Sequence, residues 1–130
     1  MKVLQVLSLV MLFSLFSGNA DAQKSKKWKE ATIKVSSQCG MCKDRIEKHL
    51  AFEKGVKKSV VDLQKDVVTV TYHSRKTSVE KIRKSLSKLG YDADDVKADK
   101  KAYDKLPGCC KKPDDPNHEV HGNNKGVHKE

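Results

Sequence analysis

Only one C-x-x-C pair occurs in the chain, Cys39-Gly40-Met41-Cys42, and the lack of a second argues against a four-cysteine zinc site of the usual spacing. Clustered carboxylates are missing too, which leaves hard ions such as Mg(II) and Ca(II) without their oxygen ligands. No Ser/His/Asp set and no acid–base carboxylate pair can be placed together, so nothing in the sequence points to an enzyme. Aromatic residues make up 5% of the chain, so despite a formal net charge of +10 the scattered lysines lack an aromatic platform for nucleic acid. The charge reads instead as a solvated face able to steer encounters with an acidic partner or an anionic membrane surface. Apolar runs are short as well. Val3 to Phe16 falls below the roughly 20 residues of a membrane span, so no stable membrane insertion is expected.

The apolar run has another reading. Lys2 precedes it and Ala20-Asp21-Ala22 follows as an A-x-A cleavage site, the pattern of a signal peptide over residues 1–22. The expectation is an exported protein, periplasmic or secreted, whose mature chain starts at Gln23. Residues 23–29 are a basic leader. From Glu30 to Val35, Ala31, Ile33 and Val35 alternate with polar residues, as in a half-buried strand. Ser36 to Gly40 is a loop, with Gly40 letting it bend. A helical period begins at Cys42 with Ile46, His49, Leu50 and Phe52, and stops at Gly55.

Ser59, Val61 and Leu63 mark a second strand, Gln64-Lys65-Asp66 a turn, and Val68, Val70 and Tyr72 a third strand. Thr77 with Glu80 forms a capping box for a helix carrying Val79, Ile82, Leu86 and Leu89, ended by Gly90. Tyr91 to Lys97, with Ala93 and Val96 as its apolar residues, supplies a last short strand. The resulting order is βαββαβ, which predicts an α+β, ferredoxin-like fold with a four-stranded antiparallel sheet and two helices on one face. The domain occupies residues 30–98. Lys100 to Leu106 adds a helical turn broken by Pro107-Gly108. Residues 99–130 form a tail that holds Cys109, Cys110, His118, His121 and His128 and is partly disordered, since Lys111 to Glu130 has no apolar face.

The chemistry is concentrated at Cys39 and Cys42. A helix N-terminus lowers a thiol's pKa from its usual value of about 8.5, so Cys42 in the first turn is biased toward thiolate. Two thiolates with few hard ligands select Cu(I) or Hg(II), and less well Zn(II) or Cd(II). Met41 either offers a soft thioether neighbour or covers the loop. Cys109 and Cys110 are adjacent, so they bridge each other only through a strained ring. They are either a second thiolate pair that joins the site or two exposed thiols.

On Cys39-x-x-Cys42, Ile46 and Leu50, Gly55-Val56, Val61-Asp62-Leu63 and Gly90-Tyr91, the segment Ile33 to Val96 resembles the heavy-metal-associated domain family. That family comprises copper chaperones, periplasmic mercury-binding proteins and soluble modules of metal-exporting ATPases. The resemblance implies that Cys39 and Cys42 bind the ion and hand it on by ligand exchange, and that Tyr91 packs beside the metal loop. The implied partner is a metal-transporting membrane protein or another metal-binding domain. One position departs from the family pattern: Ser37 stands where a Met usually precedes the first cysteine. The rival reading from another class is thiol–disulfide exchange by the Cys39/Cys42 pair. Against it, Pro107, Pro113 and Pro116 all lie in or near the tail, away from where a thioredoxin-type site needs its proline.

Overall fold

The structure, a computed structural model, describes residues 27–119. The expected signal peptide, leader residues 23–26 and tail residues 120–130, with His121 and His128, lie outside the described residues. Three strands form one antiparallel sheet in the order β1-β3-β2: β1 Trp28–Lys34, β2 Val56–Asp62 and β3 Val67–His73. The central strand, β3, shows the cleanest alternation, with Val68, Val70 and Tyr72 buried. Ile33 on β1 and Val61 on β2 both pair with Val68, so their side chains share its face. The turn between β2 and β3 is made by Asp62, whose Oδ1 accepts from the N–H groups of Gln64 and Lys65.

Helix α1, Gly40–Ala51, buries Cys42, Ile46 and Leu50, and helix α2, Val79–Leu89, buries Ile82 and Leu86. These residues share one core with Ile33, Val61, Val68, Val70 and Tyr72, so both helices lie on the same face of the sheet. Each fully buried aliphatic side chain contributes roughly 1.5–3 kcal/mol, which makes this face the main source of stability. Helix α1 starts at Gly40, before Cys42, and ends before Phe52, which is 85% exposed rather than part of the apolar face. The cap of α2 is Ser78, whose hydroxyl accepts from Lys81 N–H, and not Thr77. Thr77 is buried in the turn after β3, where its backbone N–H donates to His73 O.

The fourth strand does not form. Ala93 makes a single bridge to Val35 at the edge of β1 and a second to Val96, and the chain then turns away. Asp94 sits at φ 52°, outside the extended region, and its Oδ1 caps Lys34 N–H. A sheet ladder cannot continue through that residue. The chain instead enters a short helix, α3, Lys100–Asp104, capped by Asp99 through Ala102 N–H, and then a 3₁₀ turn, Gly108–Cys110. No helix among the described residues is long and apolar enough to cross a membrane.

Candidate metal centre

The loop from β1 to α1 is anchored on both sides. Ser36 Oγ accepts from Asp92 N–H, and Ser36 N–H donates to Asp92 O, which ties the loop to the segment after α2. Cys39 is the N-cap residue and Cys42 lies in the first turn, fully buried, with the two sulfurs 3.5 Å apart. Gly40 is not at positive φ and an added Cβ would meet nothing within 4 Å, so helix entry, rather than glycine freedom, sets this spacing.

Cys110 reaches the same place from the far end of the chain. Its sulfur lies 4.0 Å from that of Cys39, and Cys39, Cys42 and Cys110 all have their sulfurs within 4.8 Å of one another. Both tail cysteines are buried, Cys110 at 1% exposure, so neither is an exposed loop thiol. Cys109 lies outside that set of three, its Sγ 3.9 Å from Met41 Sδ and its thiol also bearing on Cys39, and Met41 is 52% exposed at the mouth of the site.

The three clustered thiols are electrostatically unequal. The Cys110 thiol facing Cys42 holds its pKa down to about 5, against the opposing effect of burial, and N–H groups of Gln38 and Cys39 add to the lowering. Burial pushes Cys39 up to about 11, with the neighbouring Cys42 adding to it. Cys110 is pushed far up by its hydrogen bond to Cys42 and by burial. Near neutral pH the cluster therefore holds one thiolate, on Cys42, and two protonated thiols.

Tyr91 closes the floor of the site. It is fully buried, its hydroxyl has no hydrogen-bond partner, and burial with the adjacent Cys42 and Cys110 sulfurs keeps it protonated. Ser37, also buried, leaves its Oγ unpartnered. The sequence marks both residues, Tyr91 beside the metal loop and Ser37 in place of a Met, but not that their hydroxyls stand without partners. His49 lies on α1 with Nε2 2.8 Å from Ser85 Oγ, bridging the two long helices away from the sulfurs. His118 Nδ1 sits 2.8 Å from Lys111 O, likewise outside the cluster.

The Tyr91 hydroxyl gives a test with two opposite signs. A buried, unsatisfied polar group costs about 1–3 kcal/mol, so Tyr91→Phe should stabilise the metal-free protein by about 1 kcal/mol. Loss of an O–H that could donate to a thiolate ligand there should weaken soft-ion binding by about threefold to tenfold. Urea denaturation and Cu(I) competition on the same variant read both; a fall in stability would mean that the hydroxyl is already partnered.

Antiparallel strands, two helices on one face and a thiol cluster at a helix start define a small α+β metal-binding domain. Residues 32–92 match the family model of the heavy-metal-associated domain. The copper chaperone CopZ of Staphylococcus haemolyticus is 37% identical over 54 residues, spanning 42% of this chain and 79% of that protein. A copper-exporting P-type ATPase of Staphylococcus saprophyticus is 37% identical over 59 residues, which is 45% of this chain and only 7% of the ATPase. Among solved structures, oxidised MerP from Ralstonia metallidurans CH34 superposes with a TM-score of 0.50 at 28% identity, covering 52% of this chain and 94% of that one. The chain belongs to the heavy-metal-associated domain family.

The comparisons also correct the expectation of export. CopZ, matched along 79% of its length, is a copper chaperone. Residues 1–22, the sole basis for export, lie outside both the matched segment and the described residues. Neither periplasm nor medium is assigned to this chain.

Proposed function

We propose that this protein is a carrier of a soft metal ion, Cu(I) or Hg(II), which it captures between Cys39 and Cys42 and surrenders by thiolate exchange. The observation that carries the reading is the pair of sulfurs 3.5 Å apart at the start of α1, in a chain of this family. Soft thiolates prefer these ions, and Zn(II) or Cd(II) follow less well. An ion held at a loop with one half-buried sulfur, Cys39, is open to an incoming thiolate, so it can leave in steps without ever being free. The receiving partner is a metal-binding domain of a transporter, as the similarity to copper-exporting ATPases suggests, or another domain of the same family. No step is catalytic: ligands exchange and no substrate bond is made or broken.

The unequal thiols set a pH dependence. At neutral pH Cys42, at about 5, enters as thiolate, while Cys39, at about 11, must lose a proton. Binding therefore releases a proton, and lowering the pH opposes it. Cu(I) affinity should fall about tenfold per pH unit from pH ~10 to ~6, and more steeply below pH ~5 where Cys42 also protonates. Competition with a Cu(I) chelator, corrected for the chelator's own titration, measures this. The functional test adds a purified soluble domain of a copper-exporting ATPase to the Cu(I)-loaded, reduced protein and separates the two. Copper moving to the domain supports the reading; absence of Cu(I) uptake by the reduced protein ends it.

A further inference from the structure

The thiol cluster is one sulfur larger than a C-x-x-C pair, and the extra sulfur is held in place by contacts that involve no thiol. Lys112 Nζ lies 2.7 Å from Asp92 Oδ2. Tyr103 Oη donates to Asp115 Oδ2 at 3.0 Å and accepts from Lys112 N–H at 2.9 Å. Asp92 is the same residue that ties down the metal loop through Ser36. The segment after α2 is therefore a clasp fastened to the loop, and its folding, not the arriving ion, meets the entropic cost of ordering Cys110.

Spacing and charge then select the occupant. The sulfur separations are 3.5 and 4.0 Å, and no pair exceeds 4.8 Å. Three sulfurs about 4 Å apart ring a point about 2.3 Å from each, close to the usual thiolate–metal distance of about 2.3 Å. A pyramidal centre standing above that plane would draw them closer, toward the 3.5 Å already seen for Cys39 and Cys42. Three thiolates around a singly charged cation leave a net charge of −2, around a divalent cation −1, and around a trivalent centre zero. Cys42 and Cys110 are 0% and 1% exposed. The groups bearing on these sulfurs are one another, Cys109 and the Tyr91 hydroxyl, none of them cationic. Two lysines adjoin cluster cysteines in sequence: Lys43 is turned away to Val61 O and Glu47, and the buried Lys111 lays its ammonium over the Tyr103 ring. Net charge is costly to bury without a partner, so a neutral complex fits best.

We infer that Cys39, Cys42 and Cys110 together form a three-thiolate receptor for a trivalent thiophilic centre, of which arsenous acid is the simplest form. The inference rests on the reading of Cys39 and Cys42 as ligands and names a further cargo class for that site. Binding exchanges three As–OH bonds for three As–S bonds and releases three waters. The two thiol protons and one proton from solvent, for the Cys42 thiolate, complete them. Arsenic and sulfur keep their oxidation states.

The test titrates the full-length, anaerobically reduced protein with sodium arsenite, followed by sulfur-to-arsenic charge-transfer absorption and native mass spectrometry. X-ray absorption then counts the sulfurs around arsenic. The wild type should take up one arsenic with three As–S bonds. Cys110→Ser should lose arsenite affinity by ~100-fold or more while Cu(I) affinity moves by less than ~10-fold, since Cu(I) is satisfied by two thiolates. Cys109→Ser, which removes a sulfur outside the cluster of three, should keep three As–S bonds and lower arsenite affinity by less than ~10-fold. A two-sulfur arsenic shell in the wild type, or full arsenite affinity in Cys110→Ser, overturns the inference. The wild-type sulfur count decides the question even where a variant fails to fold. Failure of Cu(I) uptake by the wild type would instead overturn the carrier reading beneath it.

Discussion

Cys42→Ser should lower Cu(I) affinity by ~10³-fold or more, roughly 4 kcal/mol at 1.4 kcal/mol per decade. Serine keeps the size of the side chain but offers a hard, neutral oxygen where a soft anion stood. Cys42 is also the one sulfur of the cluster already ionised near neutral pH, with its pKa held at about 5. Its removal therefore takes away both a ligand and the charge that first attracts the cation. The remaining thiols, Cys39 and Cys110, keep the burial that raises a thiol's pKa, so each still has a proton to give up before it can bind. Cys39→Ser should be milder, because the Cys42 thiolate and Cys110 remain within reach of each other. The fold should survive, since a hydroxyl in place of a buried thiol costs about 1–3 kcal/mol. Chelator competition on both variants, alongside thermal unfolding, reads affinity and stability separately. Cys42→Ser binding within tenfold of the wild type would show that the ion sits elsewhere.

The strands and helices that carry the core were legible because each is written in its own local period. Val68, Val70 and Tyr72 alternate, and Ile82 and Leu86 recur at helical spacing, so each element declares its buried face without help from its neighbours. The pair Cys39/Cys42 was legible for the same reason, being local and placed where one period gives way to the other. The fourth strand was misread where the pattern was weakest. Ala93 and Val96 are three apart, not two, and the aspartates at 92, 94 and 95 favour turns, a choice that Asp94 makes at φ 52°. Phe52 was assigned to the apolar face of α1 by extending a period past the residue where the helix ends. Cys110 lay beyond any such reading. It sits 71 residues from Cys39, and its placement depends on the Lys112–Asp92 ion pair and the Tyr103 hydroxyl, contacts that no local repeat encodes. Pro107-Gly108 signalled a turn before the two cysteines but not the direction in which it would send them.

Gly90→Ala should destabilise the protein by about 2–4 kcal/mol and, through the clasp, open the third side of the thiol cluster. Gly90 ends α2 at φ 107°, a left-handed conformation that costs an L-residue about 1–2 kcal/mol. A Cβ there would also stand 3.0 Å from the backbone carbonyl of Ala102 and 3.1 Å from Tyr103 N, atoms of α3 that cannot swing aside as a side-chain tip can. Either α3 shifts or the end of α2 unwinds. Both movements reach Tyr103 and, through it, Lys112 and the turn that carries Cys110. Reaction of Cys110 with a thiol reagent, located by peptide mapping, should therefore accelerate in Gly90→Ala while Cys42 remains protected. Gly40→Ala is the matched control inside the motif itself. That residue is helical, has open space where its Cβ would go, and should change stability by less than about 1 kcal/mol, in the direction of greater helix propensity. If Gly90→Ala unfolds no more easily than Gly40→Ala and leaves Cys110 equally protected, the clasp is not seated on the end of α2. The burial of the third thiol would then have to arise from the Lys112–Asp92 pair alone.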